Sequence, residues 1–293
     1  MHRPWMTALE MQFAAMQNCG RLREQLSPAD DLESVDRQLD GAGQVLRCAE
    51  AFSWTADTID AVVHAAATIP DDTQLADLGT LPNPACWWWW FEHPLPFLVD
   101  DDDAYPFGRR AVHGLLLVHG LAPSAAVSSL MVIPFGLFAT SDSPFMFPLG
   151  WDWKVNESVN NQLTTRQGAQ PSTLRRPISR FLAAALVWLE QRILVHTTGP
   201  VERHRRKQLA RDHAVPLPGD VKVIQLRRAE HEAQPTSDRS VLVEWSCRWI
   251  VSGHWRNQPV KDGRKLIYIL PYVKGPADQP LKVPTHTVYD VSR

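Results

Sequence analysis

Seven residues, Cys86-Trp87-Trp88-Trp89-Trp90-Phe91-Glu92, constrain this chain more than any other stretch. Helix propensity for such a run is poor, and a strand suits it better. In a strand, Trp87 and Trp89 point to one side and Trp88 and Trp90 to the other. Both faces then carry indoles, so the expectation is a central strand buried on both sides. The alternative is an exposed aromatic platform that stacks bases or another flat ligand.

Upstream of that run the chain reads as helical. Residues 4–27 contain few breakers and set Met6, Leu9, Phe13 and Met16 at helical spacing, with Ser27-Pro28 as the stop. A second helix is expected over Pro28–Ala51, capped by Ser27 or Asp30 and carrying Asp30, Asp31 and Glu33 in its first turn. A third is expected over Thr58–Thr68, ended by Pro70, and residues 70–85 read as a loop.

Downstream, Asp100–Asp103 places four carboxylates side by side. They need solvent or a hard cation, but the EF-hand spacing is absent and a solvated acidic loop is the plainer reading. Strands are expected at Ala111–Leu121 and Ser128–Phe138. His113 and His119 share a strand face, but no third ligand follows at a metal-binding spacing. Residues 139–178, rich in Pro, Ser, Asn, Gln and Gly, read as an exposed connection, a lid or a linker. Ile178–His196 shows one apolar stripe, Phe181, Leu182, Ala185, Leu186, Leu189 and Ile193, and reads as a core helix broken by Thr198-Gly199-Pro200.

Charge divides the chain. Residues 1–150 hold seven Arg, no Lys and nineteen acids, a net charge of −12, whereas residues 151–293 carry a net +10. A basic half of this kind meets nucleic acid or anionic lipid, or is neutralised by the acidic half in the folded protein. The four cysteines form no C-x-x-C pair, so free thiols in a reducing cytosol are expected, with no metal or other cofactor. The N-terminus lacks the apolar run of a signal peptide, and the longest apolar run, Phe181–Leu189, is too short to span a bilayer. A cytoplasmic protein without a membrane partner is the expectation.

The basic half holds two candidate contact segments. A helix over Val201–His213 crowds Arg203, Arg205, Arg206, Lys207 and Arg211 together, which suits a phosphate backbone. After a strand at Val221–Arg228, expected to have one wet, basic face, comes a hairpin spanning Val241–Pro276. Val241, Val243, Trp245, Cys247, Trp249 and Val251 form its apolar face, Gly253 marks a bulge or close approach, and His254, Trp255, Arg256, Asn257 and Gln258 form a polar corner. Arg forks a phosphate or guanine, Asn and Gln read adenine, and Trp stacks. Asp262-Gly263 is a turn signal; beyond it, Lys274 precedes Gly275, where a bare backbone would admit an anion. A final strand is expected at Thr285–Val291.

ERHRRKQLAR, VKVIQLRR, EWSCRWIVSGHWRNQ, LPYVKGPADQPL and the earlier WWWWFEHPLPF resemble a set found in proteins of actinobacterial plasmids, phages and other mobile elements. The resemblance covers much of the chain from the Trp run onward and implies a mobile-element context without an active site. P-loop, H-E-x-x-H, G-x-S-x-G and Rossmann patterns are absent.

The expected architecture is α+β: a helical region at 1–80, a β-rich acidic region at 81–150, and a basic α+β region at 151–293, with antiparallel strands and two helices between two strand groups. The leading functional expectation is a nucleic-acid-binding accessory protein of a plasmid or phage, contacting DNA or RNA. A protein–protein module, as inhibitor, assembly subunit or homo-oligomer, is the alternative. An enzyme using His254 with Glu244, or a metal at Asp100–Asp103, comes third.

Overall fold

The computed structural model describes residues 4–25, 41–78, 86–99, 110–119, 129–137, 144–146, 151–154, 156–160, 175–191, 193–213, 220–227, 246–261, 263–276 and 278–282. The chain divides into two compact units, 1–227 and 228–293.

The Trp run opens strand β2 (Cys86–Val99), which lies inside a mixed sheet. Trp88, Trp89 and Phe91 are buried, and Trp90 is nearly so, while Trp87 is half-buried. Each buried indole removes on the order of 200 Å² from water, a gross gain of about 5 kcal/mol before entropy is counted. The expectation of a strand covered on both faces therefore holds. The remaining strands are β1 (Glu50–Trp54), β3 (Arg110–His119), β4 (Ser129–Leu137), β5 (Pro144–Met146), β6 (Trp151–Lys154), β7 (Leu194–Pro200) and β8 (Asp220–Leu226). Their order is β5-β4-β3-β2-β1-β8-β7, with β6 also paired to β4.

The α+β class is as expected, but the pairing is not wholly antiparallel. Strand β1 runs parallel to both neighbours, β2 and β8, while the rest of the sheet is antiparallel. It also lies within the region expected to be helical. Residues 41–48 are helical, yet Glu50 and Ala51 already belong to the strand. Phe52 and Trp54 turn to one face and Ala51 and Ser53 to the other, and all four are buried. Tertiary burial overrides the helical reading there.

Helices cover both faces of this sheet. On one side α1 (Pro4–Gln25) and residues 41–48 pack over Ala51, Trp88, Trp90, Leu116 and Phe135. Trp88 Nε1 donates to Ala8 O at 2.9 Å, and Gln12 Nε2 donates to Leu46 O and Ala49 O. On the other side lie α2 (Ala56–Ala67) and α3 (Arg175–Glu190), with Phe181 of α3 against Trp54 and Phe91. Side chains from neighbouring elements satisfy both ends of α2. Ala56 N donates to Glu92 Oε2 at 2.9 Å. At the C-terminal end Arg180 donates to Ala66 O, Ala67 O and Ile69 O at 3.1, 3.0 and 2.8 Å, and also to Asp71.

Two further expectations are corrected. The helix over Ile178–His196 ends at Glu190, and Leu194–Pro200 forms β7 against β8, so Thr198-Gly199-Pro200 closes a strand rather than breaking a helix. The region 139–178 holds β5 and β6, and Trp153 is buried with its Nε1 donating to Glu157 O at 2.8 Å. The described part of that region is therefore tied into the sheet.

The second unit is built of short strands. β10 (His254–Val260) and β11 (Gly263–Ile269) form a hairpin, and β12 (Tyr272–Lys274), β9 (Arg248–Val251) and β13 (Leu281–Lys282) form a small three-stranded sheet. The expected strand at Thr285–Val291, residues 241–245 and Asp100–Asp103 lie outside the described residues.

Candidate nucleic-acid interface

The basic helix is α4 (Arg203–His213). Its one buried apolar side chain among the described residues, Leu209, joins the cluster beneath α1. Arg205 turns to that same side, where its Nη2 donates to Glu10 Oε1 at 2.7 Å and its Nε at 3.1 Å, and its Nη1 donates to Gln208. At 100° per residue, Arg203, Arg206, Lys207 and Arg211 share an arc of about 140°; Arg203, Lys207 and Arg211 lie about 120–160° from Leu209, and Arg206 flanks it at about 60°. All four are exposed, and among the described residues none pairs with a carboxylate. Arg205 is thus paired with Glu10. The other four stand exposed to solvent.

In the second unit GHWRNQ is not a corner: His254 to Gln258 form most of a strand. Alternation separates the set. His254, Arg256 and Gln258 share one face, opposite Ile269, Ile267 and Lys265 of β11, while Trp255 and Asn257 take the other. Trp255 packs edge-to-face on Tyr268, with ring centroids 5.0 Å apart, so its ring is held in the hairpin. Burial pushes the Tyr268 phenol above its ordinary pKa. His254 Nδ1–H donates to Ser252 O at 3.1 Å, which leaves Nε2 as the outward atom.

Gly253 is the close approach expected: a Cβ there would overlap the Tyr268 hydroxyl and stand 2.8 Å from its Cζ. Gly275 is different. Its φ is 114°, and a Cβ would lie 2.7 Å from Cys247 O, so the strand leading into β9 fills that side of its Cα. Lys274 pairs across from Trp249, with Nζ 5.9 Å from the ring centroid. Residues 246–282 carry seven Lys and Arg against two Asp, a net charge of +5.

Sequence reasoning missed a second polar group. Lys222 of β8 lies 5.2 Å over the Phe52 ring and 2.7 Å from Glu50 Oε1. Strand β8 thus has no single wet, basic face: Val221 and Ile224 are both buried, on opposite sides, and Lys222 meets Glu50. On the same face His196 is held below its ordinary pKa by partial burial of the ring, with Lys222 adding to the shift and Glu50 opposing it. The sequence signal was faint, because Glu50 stood in an expected helix.

Among the described residues no three His, Cys, Asp or Glu side chains gather to hold a metal ion. Glu244, the expected partner of His254, lies outside the described residues. Among the described residues no helix is long and apolar enough to cross a membrane.

No protein-family model matches the chain, and no curated protein does. Among solved structures it is similar to the crystal structure of AcrVA2, at 14% identity over 88% of this chain and 85% of that one, with a TM-score of 0.45. A likeness at that level carries no argument about this chain.

Proposed function

We propose that this chain is a nucleic-acid-binding accessory protein of a mobile element, holding phosphates on the outer arc of α4. The observation that carries the reading is the sorting of charge on that helix. The inward arginine is neutralised by Glu10, while Arg203, Arg206, Lys207 and Arg211 stand exposed and unpaired among the described residues on one arc. Cations left in solvent on one surface exchange counterions for phosphates at little desolvation cost. Arg256 and Lys265, on one face of the hairpin, offer a second basic contact. The mobile-element context rests on the resemblance of the Trp run, the basic helix and the C-terminal segments. Fluorescence anisotropy at low salt, with labelled single-stranded DNA, duplex DNA and RNA, tests it. Binding that weakens on Arg203→Ala/Arg206→Ala supports the reading, and no binding to any of the three ends it.

A second reading, a protein–protein module, is favoured by one observation. Among the described residues, the large apolar side chains that stand exposed, Ile250, Val260, Leu270, Tyr272, Val273 and Leu281, all belong to the unit 228–293. Ile250 and Val273 are cross-strand partners and so share a face. Analytical ultracentrifugation and pull-down with Ile250→Ser/Val273→Ser as control test it; a strict monomer without a partner counts against it.

A further inference from the structure

Cys48 and Cys86 are brought together where the parallel pair β1–β2 begins. The register sets Glu50 beside Trp87, so one step back sets Ala49 beside Cys86. Adjacent strands run about 4.8 Å apart. Cys48 is one further Cα step of about 3.8 Å from Ala49. With the two steps roughly perpendicular, the Cα atoms stand about 6 Å apart, inside the range of about 4.4–6.8 Å that a disulfide spans. Both are free thiols; Cys48 is exposed at the end of the helical residues 41–48, and Cys86 is half-buried against the core. The Cys86 sulfur also feels charge on Cys48. Burial pushes the Cys86 thiol pKa up, and a thiolate on Cys48 pushes it further.

We propose that Cys48 and Cys86 are an internal disulfide site, closed by thiol–disulfide exchange with a small-molecule disulfide such as oxidised glutathione. The exposed Cys48 thiolate attacks one glutathione sulfur; a Cys48–glutathione bond forms and one glutathione thiolate leaves. Cys86, once deprotonated, attacks Sγ of Cys48; the Cys48–Cys86 bond forms and the second glutathione thiolate leaves. The two protein thiols lose two electrons, the oxidant gains them as two glutathione thiols, and the two thiol protons pass to the departing thiolates. Exposure assigns the order: Cys48 is the attacking group and the sheltered, less acidic Cys86 resolves the mixed disulfide. The closed bond pins residues 41–48 to the first residue of the Trp-run strand.

The test treats the full chain with oxidised glutathione, quenches by alkylation and maps the peptides by mass spectrometry. Wild type is expected to give a Cys48–Cys86 linked peptide without retained glutathione at either site. Cys86→Ser and Cys86→Ala are both expected to stop at glutathionylated Cys48, and Cys48→Ser to give neither product. The proposal is overturned if wild type stops at glutathionylated Cys48, if Cys48 links instead to Cys19 or Cys247, or if Cys48 and Cys86 both stay reduced. Two Cys86 variants guard against a local packing defect in either one.

Discussion

Substituting Gly253 by alanine tests the packing of the C-terminal hairpin. The added Cβ would overlap the Tyr268 hydroxyl, lie 2.8 Å from its Cζ and 3.1 Å from Pro271 Cδ. Comfortable carbon contacts need about 3.5–4.0 Å, so the ring has to retreat by roughly 1 Å. Tyr268 is only 5% exposed and packs edge-to-face on Trp255, so retreat breaks the contact that holds Trp255 in the hairpin. Overpacking of this kind costs about 1–3 kcal/mol. A small unit has little stability in reserve, so the loss is expected to open 228–293 locally while 1–227 stays folded. Two-dimensional NMR of the indole N–H groups reads the Trp255 environment directly, and hydrogen exchange reads the opening. Gly263→Ala is the control: its φ of 136° strains a side chain, but nothing lies within 4 Å of the new Cβ. That variant loses stability at the turn without displacing Tyr268. A Gly253→Ala protein with an unshifted Trp255 signal and unchanged exchange would refute the packing argument.

Three other outcomes follow from the same contacts. Arg180→Ala removes the donors to Ala66 O, Ala67 O and Ile69 O and is expected to lower stability by about 2–3 kcal/mol in denaturant titration, with Arg180→Lys in between, since the three donors of an ammonium sit on one nitrogen and lack the reach of the planar guanidinium. His196 is held below its ordinary pKa of 6.5, so the unfolded chain takes up the proton first; its contribution is complete above about 6.5 and is lost as pH falls toward the folded value. Denaturation midpoints measured against pH are expected to flatten in that window for His196→Asn; an unchanged profile would assign the dependence to another group. Glu10→Gln frees Arg205 from its carboxylate, and tighter nucleic-acid binding is expected, read by anisotropy at fixed salt.

Local pattern made much of the fold legible. The Trp run read as a two-sided strand because strand alternation sends its four indoles to both faces, and α1, α2, β3 and β4 followed from spacing and punctuation. The parallel strand β1 was not legible. Five residues, Glu50–Trp54, carry too little periodicity to be told from the end of a helix, and what makes them a strand is burial between β2 and β8, which are distant in sequence. The same holds for Leu194–Pro200, where pairing with β8 takes over from the apolar helix before it. At the site, the basic helix was legible as charge density, but its partition was not. Only the register of α4 against α1 shows that Arg205 is spent on Glu10 while its neighbours are not. GHWRNQ looked like a cluster because its residues are adjacent, and strand alternation is what divides them.

The most direct test of the central claim is the salt dependence of nucleic-acid affinity. Four phosphate contacts from Arg203, Arg206, Lys207 and Arg211 predict that log K against log salt falls with a slope of about −3.6 on duplex DNA, roughly a 150-fold loss between about 50 and 200 mM salt. Arg206→Ala is expected to make that slope shallower by about 0.9, and the quadruple alanine variant to abolish most of it. A slope near zero, or one that the α4 substitutions leave unchanged, would contradict the account.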